Sequence, residues 1–162
     1  MGFEIERKFL VKRELWKAPE GGVAYSQGYV STKSGVTVRV RIAGEKAYLT
    51  LKDRAVGLTR HEFEYEIPAE DAKTMMSSMC DGPLVEKIRY RLPAEEPGLV
   101  WEVDEFMGEN APLVTAEIEL PSEDTPFSRP PWLGEEVTDD HRYKNNNLAV
   151  NPYGRWASTP PS

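Results

Sequence analysis

The chain has 162 residues, one domain's worth, and 40% of them are apolar, with 5 Phe, 7 Tyr and 4 Trp to fill a core, so a wholly disordered chain is excluded. Twenty Lys and Arg stand against 27 Asp and Glu, a net charge of −7, which argues against a broad nucleic-acid surface. One cysteine (Cys80) and two histidines (His61, His141) exclude an internal disulfide and a Cys/His zinc site.

No stretch approaches the roughly 20 apolar residues of a membrane span. The opening residues, Met1-Gly2-Phe3-Glu4-Ile5-Glu6, lack the apolar run of a signal peptide, and Glu6 stands where a myristoylation signal wants Ser or Thr. A soluble, cytoplasmic protein is expected. Gly and Pro then cut the sequence into segments that alternate with the strand period of two. They run over 3–11, 23–32, 36–43, 46–53 and 60–67. In Ala69–Met79 an apolar stripe at Ala72, Met75, Met76 and Met79 has helical spacing, and Asp81-Gly82-Pro83 ends it. Strands resume over 84–92, 99–107 and 113–120. Beyond Pro121, Pro126, Pro130 and Pro131 forbid a long helix, and Thr138 caps a short one ending near Leu148. Residues 1–150 read as one domain and 151–162 as a mobile tail.

Splitting each strand by parity separates its two faces. One set is apolar: Phe9 and Val11; Val38, Val40 and Ile42; Leu49 and Leu51; Trp101 and Val103; Ala116 and Ile118. The opposite set is charged, and sorted by sign. Arg39/Arg41 and Lys87/Arg89 are basic pairs; Glu4/Glu6, Glu62/Glu64, Glu102/Asp104 and Glu117/Glu119 are acidic ones. Each pair is spaced roughly 6.5–7 Å along its strand. Any one strand alone reads as an ordinary half-buried sheet with its polar face in water. Taken together the like-charge rows resist that reading, because adjacent like charges repel unless something multiply charged lies between them. The simplest geometry is mainly β: a closed eight-stranded antiparallel barrel whose charged face forms a tunnel. Its apolar face lies outside, under peripheral helices that include the C-terminal segment. Eight strands leave room for one small ligand. Lys8, Arg39, Arg41, Lys52, Lys87 and Arg89 offer donors suited to phosphate oxygens. If the first and last strands meet, Glu4 and Glu6 join Glu117 and Glu119 in a hard-oxygen site for Mg²⁺ or Mn²⁺. Cations facing a metal describe a polyphosphate site.

The run Glu4-Ile5-Glu6-Arg7-Lys8 is similar to the Glu-x-Glu-x-Lys signature of the CYTH superfamily, the triphosphate tunnel metalloenzymes. Its companions resemble that family in order: Arg39-Val40-Arg41, Lys52, Glu62-Phe63-Glu64, Lys87-Ile88-Arg89, Glu102-Val103-Asp104 and Glu117-Ile118-Glu119. The compact length resembles the small bacterial members that hydrolyse inorganic tripolyphosphate. The resemblance implies that the six basic residues hold a triphosphate-bearing small molecule and that Glu4, Glu6, Glu117 and Glu119 surround the metal. It implies also that Glu62, Glu64, Glu102 and Asp104 line the tunnel and that Lys144 caps one mouth. Tyr29 is a candidate to approach Lys8 and position the attacking water, if the first two strands pair. Adenylate cyclase, thiamine triphosphatase and a non-catalytic polyphosphate-binding module stay open as alternatives on the same scaffold.

Overall fold

The computed structural model describes residues 5–32, 35–53 and 61–157. Glu4 lies outside them, as do the predicted strand residues 3–4 and 60. Nine strands form: β1 (Ile5–Val11), β2 (Val23–Val30), β3 (Thr37–Ala43), β4 (Lys46–Lys52), β5 (Glu62–Ile67), β6 (Asp81–Pro93), β7 (Val100–Phe106), β8 (Val114–Leu120) and β9 (Leu133–Glu136). They make one antiparallel sheet in the order β5-β4-β3-β2-β6-β7-β8-β1-β9. Each predicted strand is found. The ninth was not expected, and β6 begins at Asp81, where a helix stop was read.

Two expectations about the sheet are not met among the described residues. The first strand does meet the eighth, but β5 and β9 are the outer strands and no ladder among the described residues joins them. The sheet is therefore an open trough. It curls enough that β1 and β5, with six strands between them, line one cavity. The first two strands do not pair either: β1 lies between β8 and β9, and β2 between β3 and β6. That removes the basis for a Tyr29–Lys8 contact.

Local chemistry accounts for the turns and close approaches. Gly44 takes φ +62° in the two-residue turn between β3 and β4, a conformation costly to a side chain. Gly28 sits at an irregularity of the β2–β6 ladder, where a Cβ would come within 2.8 Å of Cys80 Sγ and Leu84 Cδ2.

The convex face carries two cores. Phe9, Trp101, Val103, Ala116 and Ile118 pack under the segments that hold Trp16, Phe127 and Trp132. Val40 and Ala47 pack under helix α1 (Ala69–Ser78) through Ala72 and Met76. Met79, the last member of the predicted stripe, lies past the helix end and is exposed.

The C-terminal segment departs most from expectation. A 3-10 turn (His141–Tyr143), helix α2 (Asn145–Val150) and helix α3 (Tyr153–Trp156) follow β9. They cover the concave side at one end, not the outer face. Leu10, Tyr29, Val85 and Phe106, which share parity with the charged rows, pack there against Tyr143, Leu148, Ala149 and Trp156. Residues 151–157 are thus part of the packed structure: Pro152 is buried, and the Tyr153 amide donates to Asn110 Oδ1 at 2.9 Å. The rest of the predicted tail, 158–162, lies outside the described residues.

Candidate active site

The concave face encloses a cavity of about 860 Å³. Strand parity decides what enters it. Glu6 and Lys8 come from β1, Tyr29 from β2, Arg39 and Arg41 from β3, Thr50 and Lys52 from β4, and Glu62 and Glu64 from β5. Across the trough stand Arg89, Glu102, Glu117 and Glu119. Thr138, His141, Lys144 and Asn145 to Asn147 close the apolar end. Of the expected site residues, Lys87 and Asp104 are not part of the lining; both are buried behind it.

Ladder register pairs most of these cations with acids. Lys8 faces Glu117 across β1–β8, with Nζ 2.9 Å from its Oε1, and donates to the Tyr143 carbonyl at 3.0 Å. Arg89 faces Asp104 across β6–β7 and donates to both its oxygens, at 2.7 and 2.8 Å. Lys87 Nζ lies 2.9 Å from Asp104 and donates to Asn145 Oδ1 at 2.8 Å. Arg39 reaches Glu64 at 3.6 Å, with Thr50 accepting from the guanidinium and donating to the carboxylate. Lys52 stands 3.8 Å from Glu62. The sign-sorted rows are therefore interleaved across strands, which one-strand parity does not reveal.

Burial and charge tune these groups. Burial would raise Asp104, but Lys87 and Arg89 outweigh it and hold the carboxyl well below the usual range. Burial lowers Lys87 to about 8 despite Asp104. Arg41 is lowered to about 10 by burial and by repulsion from Arg39 and Arg89. Its guanidinium donates to the neutral Gln27 Oε1 at 2.9 Å and stacks 5.1 Å from the Tyr25 ring, which also lies 4.8 Å from Arg89. Arg39 Nε is buried with no protein acceptor. An anion in the cavity would answer both.

The β1–β8 wall holds the carboxylates. Glu6 pairs with Glu119 in the ladder and lies beside Glu117. Its carboxyl keeps contact with solvent, yet surrounding protein and then the Glu117 charge push it up to about 8. Burial alone would raise Glu117, but Lys8 and a hydrogen bond accepted from the Glu6 carboxyl hold it below the usual range. No three metal-ligating side chains converge on one point among the described residues. In donor chemistry Glu6, Glu117 and Glu119 suit a hard divalent cation: all offer carboxylate oxygens, and a dication would offset the Glu117 charge that adds to burial in raising Glu6.

Sequence reading missed Gln27, Thr50, Thr138, His141 and the three asparagines. Gln27 and Thr50 carry the right parity but no charge, and the others come from a segment whose docking no periodicity foretells.

A family model described as "CYTH domain" matches residues 2–150. A protein of Acetivibrio thermocellus named inorganic triphosphatase is 49% identical over 153 residues, covering 94% of this chain and 97% of its own. One of the same name from Nitrosomonas europaea is 41% identical over 155 residues, covering 91% and 97%. A crystal structure of an inorganic triphosphatase superposes with a TM-score of 0.69 at 38% identity, covering 93% of this chain and 96% of that one.

Proposed function

The chain belongs to the CYTH domain family, and on that premise we propose that it hydrolyses inorganic tripolyphosphate to pyrophosphate and phosphate with a divalent metal ion, Mg²⁺ or Mn²⁺. Relatives at 49% and 41% identity bear the name inorganic triphosphatase and are matched over nearly their whole length. The observation that carries the reading is one cavity with guanidinium and ammonium groups on the β3, β4 and β6 walls and carboxylates on the β1–β8 wall.

In this reading Arg39, Arg41, Lys52 and Arg89 bind the phosphoryl oxygens, and Lys144 binds them at the plugged end. Lys87 acts from behind the wall, holding Asp104 against Arg89. Lys8, fixed by Glu117 and the Tyr143 carbonyl, and Tyr29 act as catalytic donors to the reacting phosphoryl group. Glu4, Glu6, Glu117 and Glu119 hold the metal, which when bound supplies positive charge against the phosphoryl oxygens. Glu62, Glu64 and Glu102 neutralise the cations until substrate displaces them. As water attacks a terminal phosphorus in line, charge spreads over the equatorial oxygens, and preset guanidiniums stabilise it without reorganising. The β4–β5 arm and the β1–β8 arm close around substrate into the tunnel. A cytoplasmic working place agrees with the lack of a disulfide framework, and no described helix is long and apolar enough to cross a membrane.

The test is a side-by-side assay of tripolyphosphate, pyrophosphate, ATP and thiamine triphosphate with Mg²⁺ or Mn²⁺, scoring phosphate and cyclic AMP. Tripolyphosphate should be hydrolysed fastest and pyrophosphate poorly. Faster conversion of ATP to cyclic AMP would overturn the reading. Glu6→Gln and Glu119→Gln should each lose roughly 100-fold in activity, partly restored at high metal concentration.

A further inference from the structure

Gln27 is an uncharged side chain, fully buried among the site's cations, and its two amide ends are engaged in opposite senses. The β2–β3 register places Gln27 opposite Arg41 and Tyr29 opposite Arg39. Arg41 Nε donates to Gln27 Oε1 at 2.9 Å, and Gln27 Nε2 donates to Tyr29 Oη at 2.7 Å. A guanidinium has only donors, so the amide oxygen must face Arg41 and the amide nitrogen must face Tyr29. The phenol oxygen therefore accepts from Gln27. Arg39, the other described group at this hydroxyl, offers only donors. None of these neighbours takes the phenolic proton, and Tyr29 lines the cavity.

We propose that Gln27 is a positioning residue: its amide holds Arg41 in place and compels Tyr29 to present its O–H to a phosphoryl oxygen of the substrate. The inference rests on the triphosphatase reading. Tyr29 is then a hydrogen-bond donor and not a base, in keeping with burial, which pushes its phenol above the ordinary value. The chemistry also sets a preference. A cavity in which Tyr29 is turned to donate beside Arg39 and Arg41 favours a ligand whose surface is all acceptors, which a fully ionised polyphosphate is.

The test is a double-mutant cycle on the full chain, with kcat and KM for tripolyphosphate measured for wild type, Gln27→Met, Tyr29→Phe and the double variant. Each single change should lower kcat/KM by roughly tenfold or more, the value of a hydrogen bond to a charged group. The double variant should fall no more than about twofold below the worse single one. Losses that multiply would make Gln27 a packed amide with no hold on Tyr29, and would overturn the proposal. Gln27→Glu decides the matter if Gln27→Met fails to fold. A carboxylate accepts from both neighbours, so it turns the phenolic proton away from the cavity at nearly constant shape. Its loss in kcat should match that of Tyr29→Phe and vanish in the Tyr29→Phe background, while its charge raises KM in both. A kcat loss that persists there would overturn the proposal. An active wild type with a multiplicative cycle refutes the role of Gln27 alone. A wild type that neither hydrolyses tripolyphosphate nor melts higher in its presence refutes the functional reading and this proposal with it.

Discussion

Arg41 makes no ion pair with a described residue, whereas Lys8, Arg39, Lys52, Lys87 and Arg89 each have a carboxylate within 4 Å. Its partners are Gln27 and the Tyr25 ring, and burial, followed by repulsion from Arg39 and Arg89, pulls it down to about 10. Arg89 is the opposite case, bound through two hydrogen bonds to a buried carboxylate. Removing one partner of such a pair strands the other in low dielectric and costs about 3–5 kcal/mol. Because Lys87 still faces Asp104 after Arg89→Met, that variant should lose part of this, about 2–3 kcal/mol, in urea unfolding. Arg41→Met should change it by no more than about 1 kcal/mol, because relieved repulsion offsets the cost of leaving Gln27 Oε1 without its donor. Added without metal, tripolyphosphate should raise the wild-type Tm through binding to the native state and raise that of Arg41→Met far less. Equal destabilisation by the two substitutions would sink this division of the cations into paired and waiting ones.

Strand β9 shows how an element too short and proline-flanked to read from sequence is still specified by side chains. It pairs with β1 through Phe9–Glu136 and Val11–Leu133. Arg7, on the outer face of β1, donates from Nε to Glu136 Oε2 at 2.9 Å and stacks 5.0 Å from the Phe127 ring. The hydrogen bond from Arg7, outweighing partial burial, holds Glu136 at about 2. A carboxylate depressed in the folded state gives stability that is present above its unfolded value of about 4.3 and lost as pH falls through its folded value. Both side chains are partly exposed, so solvent screening limits the pair to about 1 kcal/mol. Wild type should exceed Glu136→Gln by that amount at pH 6, and the two unfolding curves should converge between roughly pH 4 and pH 2. A constant difference across that window would mean that the contribution is not electrostatic. The eight longer strands were legible because alternation is a local property: Phe9 and Lys8 go to opposite faces wherever the strand lies. Their neighbours were not. Eight alternating segments fit many orders, and nothing near Ile5 says that β8 and β9, not β2, flank it. The same limit explains the site. Parity put Lys87 and Asp104 on the concave face with Arg89, but their burial depends on Asn145 and on the docking of α2, 58 residues from Lys87.

The open trough has unequal ends, and its plug connects the last described helix, α3, to strand β1. At the plugged end Trp156 meets Tyr143 at 5.2 Å and Tyr153 at 5.0 Å, both edge-on, while the Arg142 guanidinium lies 4.6 Å from its ring. Those contacts fix the turn that carries Tyr143, whose carbonyl accepts from Lys8 Nζ at 3.0 Å. The same turn leads into Lys144 and Asn145, the first on the cavity wall and the second bonded to Lys87. A segment that reads as a tail thus braces the turn that supplies one of the two groups holding Lys8, the other being Glu117. Trp156→Ala removes the ring without touching the cavity. Truncating a core Trp costs about 3–5 kcal/mol, and Trp156 is only partly buried, so about 1–3 kcal/mol is expected here. If the plug serves only to bury Val85 and Phe106, the Tm falls and turnover well below it is unchanged. If the plug also sets Lys8, KM for tripolyphosphate rises as well, by roughly fivefold, the value of one hydrogen bond. The second result is expected, because Lys8 Nζ is held on one side by the turn that Trp156 braces and on the other by a carboxylate that draws it toward the β8 wall.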